Sequence, residues 1–568
     1  MRSDFQKRLR IISFLIVFFA LVLASKLYLV QIVNGREFAE NADRQYIKSD
    51  SDVYKRGSIF FTERDGGLIS AATLKSGFII AMNPGLIKDA SLAYEKINAV
   101  VEIPREEFMF KVGKKDDPYE ILTDKATEGV AEGIEALQIE GLHAYKEQWR
   151  YYPGDELASR AIGFVGWSDD KFTGLYGLEK YYDDILRRDE SNVYSNFFTE
   201  LFLNIGGILR EDGASREGDI VTTIEPAVQS FLEKKIEEVN TLWQSKVAGG
   251  IIMDPSNGEI FAIAIDPTYN LNTREVKDAS VFNNPIVENV YEMGSIIKPL
   301  SMAAGLDAGV VSAETTYNDA GYIILNSSRI SNYDKRGRGV VSMQEVLNQS
   351  LNTGVAFVVS KLGNQKFAEY MLNYGIEEET GIDLPGETHG LADNLNSPRD
   401  VEYATASFGQ GIAMTPIETI RALASLGNGG YLTTPHLVKK INYKLGDSKD
   451  LYQNENRQVL KKETSEEITR MLVEVVDDAL LGGSVKQENY SIAAKTGTAQ
   501  IADQQNGGYY EDRFLHSFFG YFPAYSPRFI VFLYTLEPQG RYASETLTHP
   551  FMDIAKFLLN YYEIPPDR

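Results

Sequence analysis

Ser295 and Lys298 stand three residues apart in the stretch YEMGSIIKPLSMAAG, where a helical pattern begins. On a helix that spacing puts both side chains on one face, within reach of a hydrogen bond. A serine hydroxyl is a poor nucleophile until a base removes its proton. A lysine can be that base once burial or a neighbouring positive charge lowers its pKa toward neutrality. The pair therefore points to acyl transfer of the serine-lysine kind, which needs no histidine.

The four-residue pattern is cheap by itself, since Ser168 and Lys171 repeat it beside Asp169 and Asp170 in what reads as a solvated turn. What separates Ser295 from that decoy is its company. At Ser350-Leu351-Asn352 a hydroxyl and a carboxamide lie on alternate positions, able to pass a proton and to hold a substrate amide. At Lys495-Thr496-Gly497-Thr498 a strand offers an ammonium, two hydroxyls and a glycine expected to let a substrate backbone come close.

Elements able to position these groups are legible on either side of them. From Gly218 the text GDIVTTIEPAVQSFLEKKIEEV reads as a strand and an amphipathic helix. A hairpin follows, AGGIIMDP and EIFAIAID around Ser256-Asn257-Gly258, where Asn-Gly is expected to supply positive φ angles. SIAAKTGTAQI, SFFGYFPA and RFIVFLYTL add three strands, and a helix closes the chain from about Thr548 to Tyr561. Strands from both ends of the segment with helices between them predict an α+β domain, one antiparallel sheet flanked by a largely helical insertion.

Ahead of Gly218 the chain has no comparable set of chemical groups. Ile11–Ser25 is uncharged and the apolar run resumes from Leu27 to Val33, long enough for a transmembrane helix. Arg2, Lys7, Arg8 and Arg10 precede it against Asp4 alone, which predicts a cytoplasmic N-terminus and an exported remainder. The expected division is a tail at 1–10, an anchor at 11–33, a non-catalytic domain at 34–217 and a catalytic domain at 218–568. Asn192–Leu209 is unusually apolar and reads as a packing helix.

Composition excludes several alternatives. The 568 residues carry a net charge of −23, which argues against nucleic acid as a partner. There are no cysteines, hence no disulfide or thiolate chemistry, and the five histidines show no metal-ligand spacing. No cofactor or metal is expected.

The triple Ser-x-x-Lys, Ser-x-Asn and Lys-Thr-Gly resembles the penicillin-binding proteins and serine β-lactamases. The likeness extends over nearly the whole chain. Lys55-Arg56-Gly57-Ser58-Ile59, Arg64-Asp65-Gly66, RYYPGDELASRAIGFVG from Arg150 and GLYGLEKYYDDIL from Gly174 are similar to the pedestal domain of class B penicillin-binding proteins. GIDLPGE from Gly381 and SFGQGIAMTP from Ser407 are similar to their transpeptidase domain. Two positions depart from the family pattern: Met293, where proline is usual, and Glu225, where aspartate is frequent.

The resemblance implies an elongated pedestal and a transpeptidase domain, with a five-stranded antiparallel sheet flanked by helices plus an all-α subdomain. It implies that Ser295 is acylated, that Lys298 is its general base and that Ser350 relays a proton. Asn352 would hold the donor amide. Lys495 would keep Lys298 neutral and, with Thr496 and Thr498, attract the substrate carboxylate. The N–H groups of Ser295 and Thr498 would form the oxyanion hole.

The implied substrate is the D-Ala-D-Ala end of a peptidoglycan stem peptide, with β-lactams as mimics. Implied partners are a membrane glycan polymerase of the SEDS type and the division machinery. The short connection from Gly166 to Gly174 resembles division-type more than elongation-type enzymes. Two rival readings are a D,D-carboxypeptidase or β-lactam hydrolase, and a non-enzymatic divisome scaffold or β-lactam sensor.

Overall fold

The computed structural model describes residue 19 and residues 56–169, 171–188, 217–444, 446–451, 456–503 and 505–568. The expected tail, the anchor apart from Phe19, and the apolar stretch 192–209 lie outside the described residues. Among those that are described, no helix is long and apolar enough to cross a membrane.

Lys75–Trp149 form one compact unit, and Arg56–Leu74 with Arg150–Arg568 form another. In the first, the end of the strand Leu68–Met82 pairs antiparallel with Glu120–Ala126. The helices Ala90–Asn98, Arg105–Val112 and Glu128–Ala136 contribute Ile97, Phe108 and Ile134 to a core shared with Ile80 and Leu122.

In the second unit the chain texture that changes at Gly218 does not mark a break in packing. Ile59–Thr62 runs parallel to Gly218–Thr222, which in turn pairs antiparallel with Val438–Tyr443. The two arginines of the early motifs converge on one buried carboxylate: Arg56 and Arg150 each reach Glu179 at 2.6 Å, and Arg56 also meets Asp183 at 2.7 Å. Arg150 donates to the Gly57 carbonyl as well, at 2.7 Å. A buried carboxylate is costly unless such donors surround it, so these three segments hold one another in place.

The centre of this unit is built from α1 (Pro226–Trp243), β1 (Val247–Met253), β2 (Ile260–Asp266), α2 (Lys298–Asp307), α3 (Asn352–Leu362), β3 (Ala493–Ala502), β4 (Tyr509–Phe522), β5 (Phe529–Leu536) and α4 (Thr548–Tyr561). The strands form one five-stranded sheet in the order β3-β4-β5-β1-β2, antiparallel throughout, as expected. Period-two alternation sends neighbours to opposite layers. Phe518 and Leu533 pack with Leu232, Ile236 and Phe551 of α1 and α4, whereas Phe519 and Phe532 join Ile296 and Leu300 in the other core.

Glu225 begins α1: its carboxylate accepts the Val228 N–H at 2.6 Å and the Tyr561 hydroxyl of α4 at 2.8 Å. The departure from aspartate thus still provides a helix cap. In the β1–β2 turn only Gly258 takes positive φ, at 86°, not both residues of Asn-Gly. The connection spans Asp254 to Glu259, and Asn257 instead accepts the Glu259 N–H at 2.9 Å.

The insertion is not all-α. Between α2 and α3, Thr316–Asp319 pairs with Gly339–Ser342 and Tyr322–Leu325 with Ser328–Ser331. These runs include Ile323, Ile324, Val340 and Val341, β-branched residues that favour extended chain.

The two ends of the central sheet differ. At β2 the Gln229 side chain donates to the Ile263 carbonyl and accepts its N–H, both at 2.8 Å, while the Glu225 N–H donates to Phe261 at 3.0 Å. That edge is sealed by α1, which leaves β3 as the terminal strand beside the candidate site.

Candidate active site

Ser295 lies in a single tight turn, Gly294–Ile297, that runs directly into α2. In this 3-10 geometry side chains three apart eclipse, so Ser295 and Lys298 leave the turn on the same side. The turn is held from behind: Tyr291 and Met414 exchange both backbone hydrogen bonds at 2.9 Å, and the Gly294 N–H donates to Gly409 at 3.1 Å. Gly294 has φ +66°, and a Cβ there would stand 3.0 Å from the Thr498 carbonyl oxygen. Glycine thus permits both the turn and its approach to β3. Met293, where proline is usual in the resembled family, is buried, and its carbonyl accepts the Ser517 hydroxyl at 2.8 Å.

Lys298 is buried, and its ammonium donates to the Ser350 carbonyl at 2.5 Å and the Ser350 hydroxyl at 3.1 Å. No hydrogen bond joins it to the Ser295 hydroxyl. Burial, reinforced by the charge of Lys495, pushes the Lys298 pKa well below that of an exposed lysine. Burial lowers Lys495 to about 8. Mutual repulsion disfavours two buried ammonium groups, and Lys298 is the one driven toward the neutral form.

Ser350 takes a left-handed conformation, φ 54°, between the helix Met343–Asn348 and α3. For a non-glycine residue this costs roughly 1 kcal/mol or more, and it is the backbone form in which both Ser350 oxygens meet Lys298. Asn352, first residue of α3, donates its amide to the Ser331 carbonyl at 2.9 Å. The next residue anchors the assembly: the Thr353 hydroxyl donates to Asp319 at 2.8 Å, and Asp319 also receives the Asn332 amide, the Gly321 N–H and the Arg338 N–H at 2.9–3.0 Å.

On β3, Lys495 donates to its neighbour's carbonyl, Thr496, at 3.0 Å. Thr496 and Thr498 are half-buried, and Thr498 accepts the Ala543 N–H at 3.2 Å. Gly497 is required by the packing of the protein itself. A Cβ there would meet the enzyme itself, 2.3 Å from the Ser517 hydroxyl and 2.8 Å from the Met293 carbonyl oxygen. Its missing side chain makes room for the turn that carries Ser295.

The structure thus joins Lys298 to Ser350 by hydrogen bonds, Lys298 to Lys495 through charge, and Thr498 to the turn carrying Ser295 by close approach. The decoy is disposed of. Ser168 and Lys171 are both exposed and pair across two antiparallel strands, not along one helical turn. Asp319, Ser517 and Glu292 escaped the sequence reading. Glu292, whose carboxylate accepts the Gly411 N–H at 2.9 Å and the Tyr509 hydroxyl at 3.0 Å, sits three residues before Ser295, and that proximity was the one available signal. Its pKa is raised by burial.

A family model described as penicillin binding protein transpeptidase domain matches residues 248–556. Among curated proteins, the chain is 29% identical over 547 residues to stage V sporulation protein D of Bacillus subtilis, covering 94% of this chain and 82% of that one. It is 23% identical over 581 residues to the peptidoglycan D,D-transpeptidase FtsI of Buchnera aphidicola, covering 100% and 97%. Among solved structures, penicillin-binding protein 3 of Mycobacterium tuberculosis in complex with aztreonam superposes with a TM-score of 0.67 at 20% identity, covering 91% of this chain and 98% of the other.

Proposed function

From the premise that this chain belongs to the class B penicillin-binding protein transpeptidases, we propose that it cross-links peptidoglycan through an acyl-enzyme on Ser295. Lys298 takes the hydroxyl proton as Ser295 Oγ bonds to the carbonyl carbon of the penultimate D-alanine of a donor stem peptide. The C–N bond breaks, terminal D-alanine leaves with a proton relayed through Ser350, and an acceptor amine attacks the ester. That amine passes its proton by way of Lys298 to the departing Ser295 oxygen, which regenerates the hydroxyl, and a new amide joins two strands. Acyl energy is retained in the ester, so no nucleotide or metal takes part.

Asn352 holds the donor amide, Lys495, Thr496 and Thr498 receive its terminal carboxylate, and Gly497 lets the strand lie against the nucleophile turn. The N–H groups of Ser295 and Thr498 stabilise the tetrahedral oxyanion, worth about 3 kcal/mol per donor. The observation that carries this reading is the burial of Lys298 against Ser350 with Lys495 nearby, the environment a lysine base requires.

The aztreonam complex of the mycobacterial protein supports β-lactam binding by this chain too. Fluorescent penicillin is expected to label the wild-type chain and not Ser295→Ala; equal labelling of both would remove Ser295 from the mechanism. Product analysis with and without an acceptor amine separates transfer from hydrolysis.

The apolar run at 11–33, preceded by Arg2, Lys7, Arg8 and Arg10, supports a single-pass anchor with the catalytic domain outside the cytoplasmic membrane. Division of the chain at 33/34 follows from this reading, and 217/218 divides it by role, between the segment without proposed catalytic groups and the one that carries them, not by packing. A SEDS-type glycan polymerase and division proteins are the partners proposed for the anchor and the segment 34–217. The likeness to FtsI and the short Gly166–Gly174 connection favour a division role. Septal enrichment of a fluorescent fusion is the expected outcome, and a uniform sidewall signal would reverse it.

A further inference from the structure

Ser517 lies on β4 directly opposite Gly497 of β3 and is fully buried. Its hydroxyl crosses the space that a side chain at 497 would fill and donates to the Met293 carbonyl at 2.8 Å. The same peptide unit is held at its other pole, where the Gly294 N–H donates to Gly409 at 3.1 Å. One peptide plane, immediately before the Gly294–Ser295 bond, is therefore clamped at both its carbonyl and its amide.

That plane controls the nucleophile. Gly294 follows it with φ +66°, an angle set by the orientation of the Met293 carbonyl plane, and the N–H and hydroxyl of Ser295 come next along the chain. The turn has no side-chain cap of its own, so its orientation depends on partners outside it. Ser517 is the partner supplied by the sheet, and it ties the turn to the strand pair that also carries Thr498.

We infer that Ser517 is a positioning residue for acylation, reaching through the side-chain gap at Gly497 to lock the Met293–Gly294 peptide and so align Ser295 with the Thr498 N–H. The inference rests on Ser295 being the acylated residue. It goes further in assigning a function to a hydroxyl that touches neither substrate nor reacting atom. A displacement of about 1 Å in a nucleophile can cost on the order of a hundredfold in rate, so loss of one alignment bond is expected to be visible kinetically.

The test uses the full chain with a chromogenic β-lactam, measuring the acylation rate constant and the non-covalent dissociation constant separately. Ser517→Ala is expected to acylate about tenfold or more slowly with the dissociation constant unchanged. Ser517→Cys keeps nearly the same shape with a weaker donor and is expected to fall between the two. Acylation by Ser517→Ala within about twofold of wild type would overturn the proposal, as would equal losses in the Ala and Cys variants or a change confined to the dissociation constant. Failure of the wild-type chain to acylate would instead count against the proposed function.

Discussion

The Lys298 ammonium donates to both oxygens that Ser350 presents, the carbonyl at 2.5 Å and the hydroxyl at 3.1 Å. The proposed base and the proposed proton relay, from segments 52 residues apart, are thus already in contact. The left-handed backbone of Ser350 is what turns both oxygens toward the lysine.

Lys298→Met is expected to abolish labelling by fluorescent penicillin while leaving the fold intact or more stable. Methionine nearly matches the volume of the lysine stem and removes a buried amine whose polar head, and still more its charged form, costs free energy to desolvate. A melting temperature at or above wild type together with absent labelling is the expected pair of results.

Acylation is expected to follow a bell-shaped pH profile. The rate rises as Lys298 loses its proton, well below the ordinary lysine range, and falls as pH passes about 8, where Lys495 loses the charge that attracts the substrate carboxylate. Lys495→Met is expected to remove the alkaline limb along with most of the affinity for carboxylate-bearing substrates. The stability effect has a definite sign. The folded-state pKa of Lys495 is depressed, so its ammonium is a penalty absent above the unfolded value near 10.5 and fully present below about 8. Thermal unfolding of the wild type should therefore show stability gained between about pH 8 and 10.5 relative to Lys495→Met, on the order of 3 kcal/mol from this group.

Asp319→Asn is expected to destabilise the protein by about 3 kcal/mol, because a carboxylate that accepts several buried donors becomes a group that must itself donate. The hairpins it gathers carry Ser331, the residue whose carbonyl orients Asn352. Weaker donor-peptide binding should therefore accompany the lower melting temperature, measured by the concentration dependence of acylation.

Gly497→Ala is expected to slow acylation by a hundredfold or more, on the order of the loss for misplaced reacting groups. The added methyl would stand 2.3 Å from the Ser517 hydroxyl and 2.8 Å from the Met293 carbonyl, and backbone does not yield as a flexible side chain does. A near-normal rate would mean that the nucleophile turn tolerates displacement from β3.

The far edge of the sheet offers a contrast. Gln229→Leu leaves the Ile263 N–H and carbonyl without partners in a buried place, a loss of about 2 kcal/mol in stability. Acylation by a β-lactam should be unaffected, since α1 seals the edge opposite the one beside Ser295.

Ser295, Lys298, Ser350, Asn352 and the Lys495–Thr498 run could be proposed as a site because their types suit the chemistry and their short spacings survive in the linear text. The five strands were legible for a similar reason: alternation such as Phe518 and Phe519 facing opposite cores is written into adjacent letters. Arg56, Arg150 and Glu179 could be marked as family-like, but nothing in their separate neighbourhoods says that they share one buried ion cluster.

The linear order by itself determined which residues are proposed as nucleophile and base and the chemistry they suit, since each depends on which functional groups exist and on local helical spacing. Only the tertiary structure decided why Gly497 is a glycine, which oxygens Lys298 meets, and that Asp319 and Ser517 brace the site. Those relations are contacts between segments tens to hundreds of residues apart, made by serines and aspartates of ordinary type. A hydroxyl or carboxylate acquires such a task only from what folding brings within about 3 Å of it.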